Sequence, residues 1–291
     1  MRAGDFTMTE FRQAGIVHYA SVEISPLVRR VTAGNSGVMT GPGTNTYIVG
    51  REQLALIDPG PLDAQHIAAL LNICGDRLRW IICTHTHRDH SPAAKPLHEA
   101  TGAQLLGNLL VDDGRQDTSF VPTHAFQHNE VFATPEFRLR AILTPGHVGN
   151  HVCFLLENEG LLFAGDHIMD GSTVVVIPPS GDMSEYIASL RMLANYPIKA
   201  IAPAHGQLIF EPQREFQRLI RHRLLREAKV VSIMQQMRRG SLDEITPPVY
   251  DDVQPQLHPI ARYSLWAHLL KLQRDGKVDE SNGEWRWKGD E

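Results

Sequence analysis

Cysteine is scarce in this 291-residue chain. The three present, Cys74, Cys83 and Cys153, are odd in number and scattered, which excludes a disulfide-stapled scaffold and points to the reducing cytoplasm. Cys83 and Cys153 sit in apolar, strand-like runs and read as core fillers. Long apolar runs are missing too: none approaches the roughly 20 residues that span a bilayer, so no membrane partner is expected. The first residues, Met1-Arg2-Ala3-Gly4-Asp5, bring an acid early and no apolar segment, so no signal peptide is expected. Nor does charge of one sign dominate. A formal net charge of -5 gives no global case for a nucleic-acid partner. There is no internal repeat and no low-complexity tract.

What remains, 42% hydrophobic and 21% charged, is an ordinary globular composition. Its length suits one large domain, alone or with a small one. The charge is uneven: residues 1–213 carry 14 Lys and Arg against 21 Asp and Glu, a balance of -7, while residues 214–291 carry 14 against 12, a balance of +2. Residues 214–239 alone hold 8 basic residues and 2 acids.

One stretch stands apart: Thr84-His85-Thr86-His87-Arg88-Asp89-His90 places three imidazoles and a carboxylate within six residues. It follows Leu78-Arg79-Trp80-Ile81-Ile82-Cys83, short, apolar and β-branched, which reads as a buried strand. Ser91 reads as a helix N-cap and Pro92 as the first helical residue. The histidines therefore sit on a loop between a strand end and a helix start. So dense a set of donors would repel or lose hydration unless something shared its lone pairs, and a divalent metal does so.

Along the chain, Leu27 to Val38 holds a strand centred on Val31 and Thr32. Thr46–Val49 and Leu54–Ile57 are two further strands. Residues 63–73 form a helix with Ile67, Leu70 and Leu71 on one face. Residues 107–135 are irregular and form an excursion that could pass over the site. A strand at 137–143 runs into Gly146-His147. Val152–Leu156 and Leu161–Ala164 form a hairpin ending at Gly165-Asp166-His167. A helix spans 184–195, and the strand Ala200–Ala202 ends at Ala204-His205-Gly206. Alternating strands and helices argue for sheets covered by helices, an α/β fold. From about residue 213 the pattern is helical: a long amphipathic helix stopped by Gly240, a short one capped by Ser241, and a third over His258–Arg274. A hairpin around Asn282-Gly283 follows. Three helices and a hairpin are the layout of a winged helix. The division is 1–212 for a catalytic domain and 213–291 for the winged helix.

Four strand ends thus offer His85, His87, Asp89 and His90, then His147, Asp166 and His205. Seven ligands exceed one tetrahedral zinc and suit two metals roughly 3.5–4 Å apart with a bridging carboxylate and hydroxide. Asp58, at another strand end, is either a turn-former before Pro59-Gly60 or a partner orienting a ligand imidazole. Asn45 is a candidate donor facing the site or a turn residue. His151 either approaches the site or is structural, His167 is expected to point away, and Arg88 reads as a solvated loop charge.

These motifs resemble the metallo-β-lactamase fold superfamily. The resemblance implies a four-layer αββα sandwich with a dinuclear site at one edge. It assigns His85, His87 and His147 to one metal, Asp89, His90 and His205 to the other, and Asp166 as the bridge. With Gly43-Thr44-Asn45-Thr46-Tyr47, Asp58-Pro59-Gly60, Thr144-Pro145-Gly146-His147, Gly165-Asp166-His167-Ile168-Met169 and the winged helix, the chain is similar to the β-lactamase-like protein 2 branch. That branch implies a hydrolase with two zinc ions, manganese or iron being alternatives, that attacks with a metal-bridging hydroxide while Asp89 handles the proton. Its mitochondrial member cleaves single-stranded RNA, and fungal relatives release polyketides from acyl carrier protein as thioesterases. The first expectation is therefore an endonuclease on single-stranded RNA, helped by the basic helix 214–239. The alternative is a hydrolase of thioesters or related small acyl compounds, helped by the acidic catalytic domain. Intact ligands argue against a non-enzymatic adaptor. His87 argues against the oxygen-reducing diiron relatives, which carry an acid there. Pro92, Ala93, Asp170 and Ala204 stand where glycines are common and bear on substrate fit.

Overall fold

A computed structural model describes residues 11–289; the opening residues read above for a signal segment lie outside the described residues. The chain forms two compact units. The first comprises the residues up to Leu143 with Val152–Ser172 and Pro197–Glu211, and the second Thr144–His151, Thr173–Tyr196 and the chain from Pro212 on.

In the first unit the elements are β1 (Val22–Glu23), β2 (Val28–Thr32), β3 (Asn45–Val49), β4 (Leu54–Ile57), α1 (Ala64–Cys74), β5 (Leu78–Ile82), α2 (Ala94–Thr101) and β6 (Gln104–Leu106), then β7 (Val131–Ala133), β8 (Arg138–Leu143), β9 (Val152–Leu156), β10 (Leu161–Gly165) and β11 (Ala200–Pro203). One sheet runs β1 to β6 in order, the other β11-β10-β9-β8-β7. The pairs β4/β5 and β5/β6 are parallel, so each needs a crossover, and α1 and α2 supply them. Strand periodicity divides the apolar side chains between two layers. Tyr47, Val49, Ala55 and Ile57 meet Leu139, Ala141, Phe154 and Phe163 between the sheets. Ile48, Leu54 and Leu56 face outward onto Leu70 of α1 and Leu97 of α2. Burial on both faces explains why these strands read as continuous apolar runs rather than alternating ones. Three of the four expected layers thus lie in this unit.

Two local expectations need correction. The strand read over Leu27–Val38 ends at Thr32, after which the chain turns through residues 37–41, where Gly37 and Gly41 pair. Ser91 does not cap a helix and Pro92 is not helical: α2 begins at Ala94. The Ser91 hydroxyl instead donates to Asp117 Oδ2 at 2.8 Å, and its amide closes a turn onto the His87 carbonyl at 3.3 Å. A tertiary acceptor has won over the local cap.

Helix α1 starts where Asp63 accepts from the amides of Gln65 and His66. His66 is fully buried, and its Nε2 bonds the Thr46 hydroxyl at 2.8 Å. Burial disfavours the imidazolium and lowers its pKa to about 4, despite the nearby Asp63. The unfolded chain protonates this imidazole below about pH 6.5 while the native one stays neutral. Stability is therefore complete above that pH and is lost as pH falls from about 6.5 to about 4, by up to about 3 kcal/mol. Urea unfolding of chelated protein across this range checks it: His66→Gln should flatten the slope.

The second unit holds α3 (Met183–Leu193), α4 (Pro212–Met237), β12 (Arg239–Ser241), α5 (Leu242–Val249), α6 (His258–Arg274), β13 (Val278–Ser281) and β14 (Glu284–Trp287). Ser241 and Glu244 form a reciprocal capping box at α5. The expected hairpin turns at Asn282 and Gly283, both at positive φ, and gains β12 as a third strand in the order β12-β14-β13. Val230 and Met234 of α4, Ile245 and Val249 of α5, Leu265, Leu269 and Leu272 of α6, and Val278 and Trp285 of the sheet share one core. Leu265 is wholly buried there. Leu265→Ala should cost about 2–5 kcal/mol, read as an earlier melting step in tryptophan fluorescence.

The basic character of α4 is partly internal. Arg223 is buried, lies 5.0 Å over the Tyr186 ring and donates to the Val174 carbonyl. Arg226 lies 4.3 Å over Tyr250 and grips Asp252 through two bonds of 2.7 and 2.8 Å. Two of the eight basic residues counted in 214–239 are thus interior, and they hold the second unit together.

Candidate metal centre

Four side chains of the first unit converge. Asp89 and His90 come from the loop after β5, Asp166 from the end of β10 and His205 from the end of β11. Their ligand atoms all lie within 4.8 Å of one another. His90 Nε2 is 3.5 Å from Asp89 Oδ2 and 3.4 Å from Asp166 Oδ1. His205 Nε2 is 3.3 Å from Asp89 Oδ2 and 3.1 Å from Asp166 Oδ1. Both Nε2 atoms are buried without a hydrogen-bond partner.

The second nitrogen of each imidazole explains its orientation. Asp58 follows β4, is buried and sits at φ 52°. Its Oδ1 accepts the Thr84 amide at 2.7 Å, and its Oδ2 accepts the Thr84 hydroxyl at 2.8 Å and His90 Nδ1 at 3.0 Å. A carboxylate only accepts, so His90 Nδ1 carries a proton, and Nε2 is the nitrogen left to take a cation. The Thr84 hydroxyl donates its one hydrogen to Asp58, so toward His85 Nδ1, 3.0 Å away, it accepts. His85 Nε2 is then turned toward His87 Nδ1, 3.0 Å away. One carboxylate sets two tautomers. His205 Nδ1 is 3.2 Å from the Gly43 carbonyl. Gly43 stands at φ +122°, and a Cβ there would lie 2.1 Å from the Ala33 carbonyl oxygen, so only glycine fits.

Electrostatics favour a shared cation. Burial opposes charge on His205, yet Asp166 and Asp89 lift its pKa to about 9. Burial likewise opposes charge on His90, and Asp89, Asp166 and Asp58 raise it well above the usual imidazole range. Burial pushes Asp166 up, but His205 and His90 hold it well below the usual carboxylate range. Two carboxylates facing two buried imidazoles are balanced either by two protons or by one divalent cation. Bare Nε2 atoms and carboxylate oxygens are the donors such a cation takes.

The other predicted residues divide. Asn45 is spent on structure: its amide donates to the Pro203 and Gly206 carbonyls at 3.1 and 2.9 Å, and its Oδ1 accepts from Thr32 at 2.8 Å. It clamps the segment that carries His205. His147 and His151 lie in the second unit's Thr144–His151 segment. There His147 Nδ1 bonds the Val175 carbonyl at 2.8 Å, and His151 Nδ1 bonds the Thr144 hydroxyl at 2.9 Å. His167 is buried beside Asp166. The excursion 107–135 contributes contacts that the sequence did not signal. Gln116 pairs with His87 across an isolated bridge and accepts the Thr86 hydroxyl at 2.6 Å. Thr84, too, carried no signal beyond its place before His85.

A two-sheet α/β fold with a His/Asp cluster at its strand ends and a winged helix defines a metallohydrolase class. The chain matches the family described as the metallo-beta-lactamase superfamily over residues 39–205, and the beta-lactamase associated winged helix domain over residues 241–287. It belongs to the metallo-beta-lactamase superfamily, whose members are metal-dependent hydrolases. Among its relatives, a beta-lactamase-like protein 2 homolog of Drosophila melanogaster is 33% identical over 276 residues, 89% of this chain and 92% of that one. The atrochrysone carboxyl ACP thioesterase of Aspergillus fumigatus is 32% identical over 224 residues, 74% of this chain and 67% of its own. A beta-lactamase domain protein from Burkholderia ambifaria shares the fold at TM-score 0.79 with 17% identity, covering 94% of each chain. Among the described residues, no helix is long and apolar enough to cross a membrane.

Proposed function

We propose that this chain is a two-metal hydrolase of thioesters and related acyl compounds. The carrying observation is the cluster of Asp89, His90, Asp166 and His205, with both Nε2 atoms buried and without hydrogen-bond partners. The family pattern adds His147 to the pair His85 and His87 for a first ion, and gives Asp166 to both. Zinc suits these donors, and manganese or iron do as well. Bound metals supply Lewis acidity and an activated water.

The chain's own residues do the rest. Asp58 fixes His90 and, through Thr84, His85, so that neither imidazole must reorient when a cation or substrate arrives. His205 is held by Gly43 and the Asn45 clamp. Asp89 is the most solvent-accessible member of the cluster, its side chain 28% exposed against 11% for Asp166 and 0% for His90. That exposure supports Asp89 as the member that takes a proton from water and passes it outward.

Two findings favour the acyl substrate over RNA. Arg223 and Arg226 are withdrawn from the basic helix into the interior, and one relative is named as an acyl-carrier thioesterase. The second reading, cleavage of single-stranded RNA, rests on Arg214, Arg218 and Arg221, which line one face of α4. Thiol release from an S-acyl-N-acetylcysteamine, measured beside cleavage of a labelled RNA, decides between them. The three protein cysteines are buried, so they contribute little background. Thioester turnover should vanish on treatment with a strong chelator, return on adding zinc or manganese, and change little with salt. RNA cleavage, in contrast, would fall steeply as salt rises. RNA cleavage without thioester turnover would overturn the acyl reading.

A further inference from the structure

The first unit carries a groove of about 530 Å3, lined by Arg88, the residue before Asp89. The loop that supplies Asp89 and His90 forms one wall. Arg88 lines the groove from between His87 and Asp89, and Gln116 lines it from beside Thr86. Pro92, just ahead of α2, and Lys95 in its first turn form the other wall. Leu62 closes it, 73% exposed, an aliphatic side chain with no core to serve. Nothing in the hydrolytic chemistry described so far uses the two cations.

Neither cation is neutralised. Arg88 donates to the Gly114 carbonyl at 3.3 Å, and neither Arg88 nor Lys95 forms an ion pair among the described residues. The one acid in the groove, Asp117, is engaged elsewhere. Its Oδ2 accepts from Ser91 at 2.8 Å, and its Oδ1 from the Ser119 amide at 2.9 Å and hydroxyl at 2.6 Å. The groove keeps a net positive charge, one fork-shaped donor and one point charge, against an apolar wall. A guanidinium and an ammonium together match a phosphate. A polynucleotide track would want a row of cations with stacking aromatics; this groove offers two cations beside Leu62 and two prolines.

We infer that this groove holds a phosphate ester borne on the thiol side of the substrate, bound by Arg88 and Lys95, with Leu62 and Pro92 against the chain that links phosphate to sulfur. The inference rests on the acyl-thioester reading. A phosphate anchored on the same loop as Asp89 and His90 turns remote binding energy into placement of the acyl carbon.

Calorimetry on the full-length, metal-loaded protein tests it with two probes, coenzyme A and pantetheine; the first carries a pyrophosphate and a 3'-phosphoadenosine that the second lacks, and charge changes at Lys95 and Arg88 separate the phosphates from the adenosine. Coenzyme A should bind at least about 10-fold tighter than pantetheine. Lys95→Gln should remove most of that preference, Lys95→Glu should reverse it, and Arg88→Gln should weaken coenzyme A alone. Lys95 lies outside the ligand loop, so its variants keep the test clear of damage to the cluster. Equal affinity for the two probes, or undiminished coenzyme A binding in both Lys95 variants, overturns the assignment. Displacement of coenzyme A by a single-stranded oligonucleotide at lower phosphate concentration overturns its small-thiol form. Kinetics separate the groove from the acyl chemistry. Preference for coenzyme A without hydrolysis of any thioester sinks the acyl reading and leaves the anion groove standing. Equal kcat/KM for acyl-coenzyme A and its phosphate-free analogue sinks the groove and leaves the acyl reading.

Discussion

Asp166→Ala should abolish hydrolysis, lowering kcat/KM on the order of 10³-fold or more. Asp166 Oδ1 is the oxygen nearest to both buried Nε2 atoms, 3.1 Å from His205 and 3.4 Å from His90. Removing it halves the negative charge facing them, and no neighbouring side chain replaces it. The residue lies at the end of β10, beyond the sheet core, so the circular dichroism spectrum and the melting transition of chelated protein should change little. Steady-state kinetics and metal analysis on one preparation check both halves. Wild-type turnover in Asp166→Ala would remove the cluster from the mechanism.

The second large effect belongs to a residue that touches no substrate. Asp58→Asn preserves shape, and asparagine tolerates the positive φ at this position. It changes the proton bookkeeping of the network. An amide has one accepting oxygen where the carboxylate used two, for the Thr84 amide, the Thr84 hydroxyl and His90 Nδ1. With the amide NH2 turned to His90, that imidazole must accept on Nδ1 and carry its proton on Nε2, where it can no longer ligate. Metal affinity should fall about 10–100-fold and activity by about 10²–10⁴-fold, the fold remaining intact. Asp58→Ala adds a folding defect of about 2–4 kcal/mol, since buried donors are left without acceptors. Competition against a fluorescent zinc chelator measures the affinity. An Asp58→Asn protein that binds metal as tightly as wild type would show that Asp58 is only a turn residue.

How much of this was legible in the sequence depended on how local the physics was. The loop His85–His90 announced itself because its donors are contiguous. The strands at 45–49, 54–57 and 78–82 did so because burial on both faces leaves continuous apolar runs. The cap at Ser241 and the turn at Asn282-Gly283 are short-range and legible directly; the reciprocal bond from Glu244 is not. What depended on distant partners was not. Ser91 reads as a cap until Asp117 offers its hydroxyl a better acceptor. Asn45 reads as a site donor until the Pro203 and Gly206 carbonyls claim its amide. Arg223 and Arg226 count toward the basic helix until Tyr186 and Tyr250 lie beneath them. Thr84 had no signature at all, since a threonine at a strand end is ordinary; only the position of Asp58 makes it the relay to His85. The groove joins residues 62, 88, 92, 95 and 116–119, which no single window of sequence brings together.

On the proposed function, Asp89, His90, Asp166 and His205 hold a divalent cation on which hydrolysis depends. Metal content by mass spectrometry, paired with turnover of the same samples, tests it most directly on wild type and His90→Ala. Wild type should hold about two ions per chain, and His90→Ala about one or fewer with hydrolysis gone. Wild-type protein that turns over substrate with no bound transition metal, or a His90→Ala variant that keeps both its ions and its rate, would contradict it.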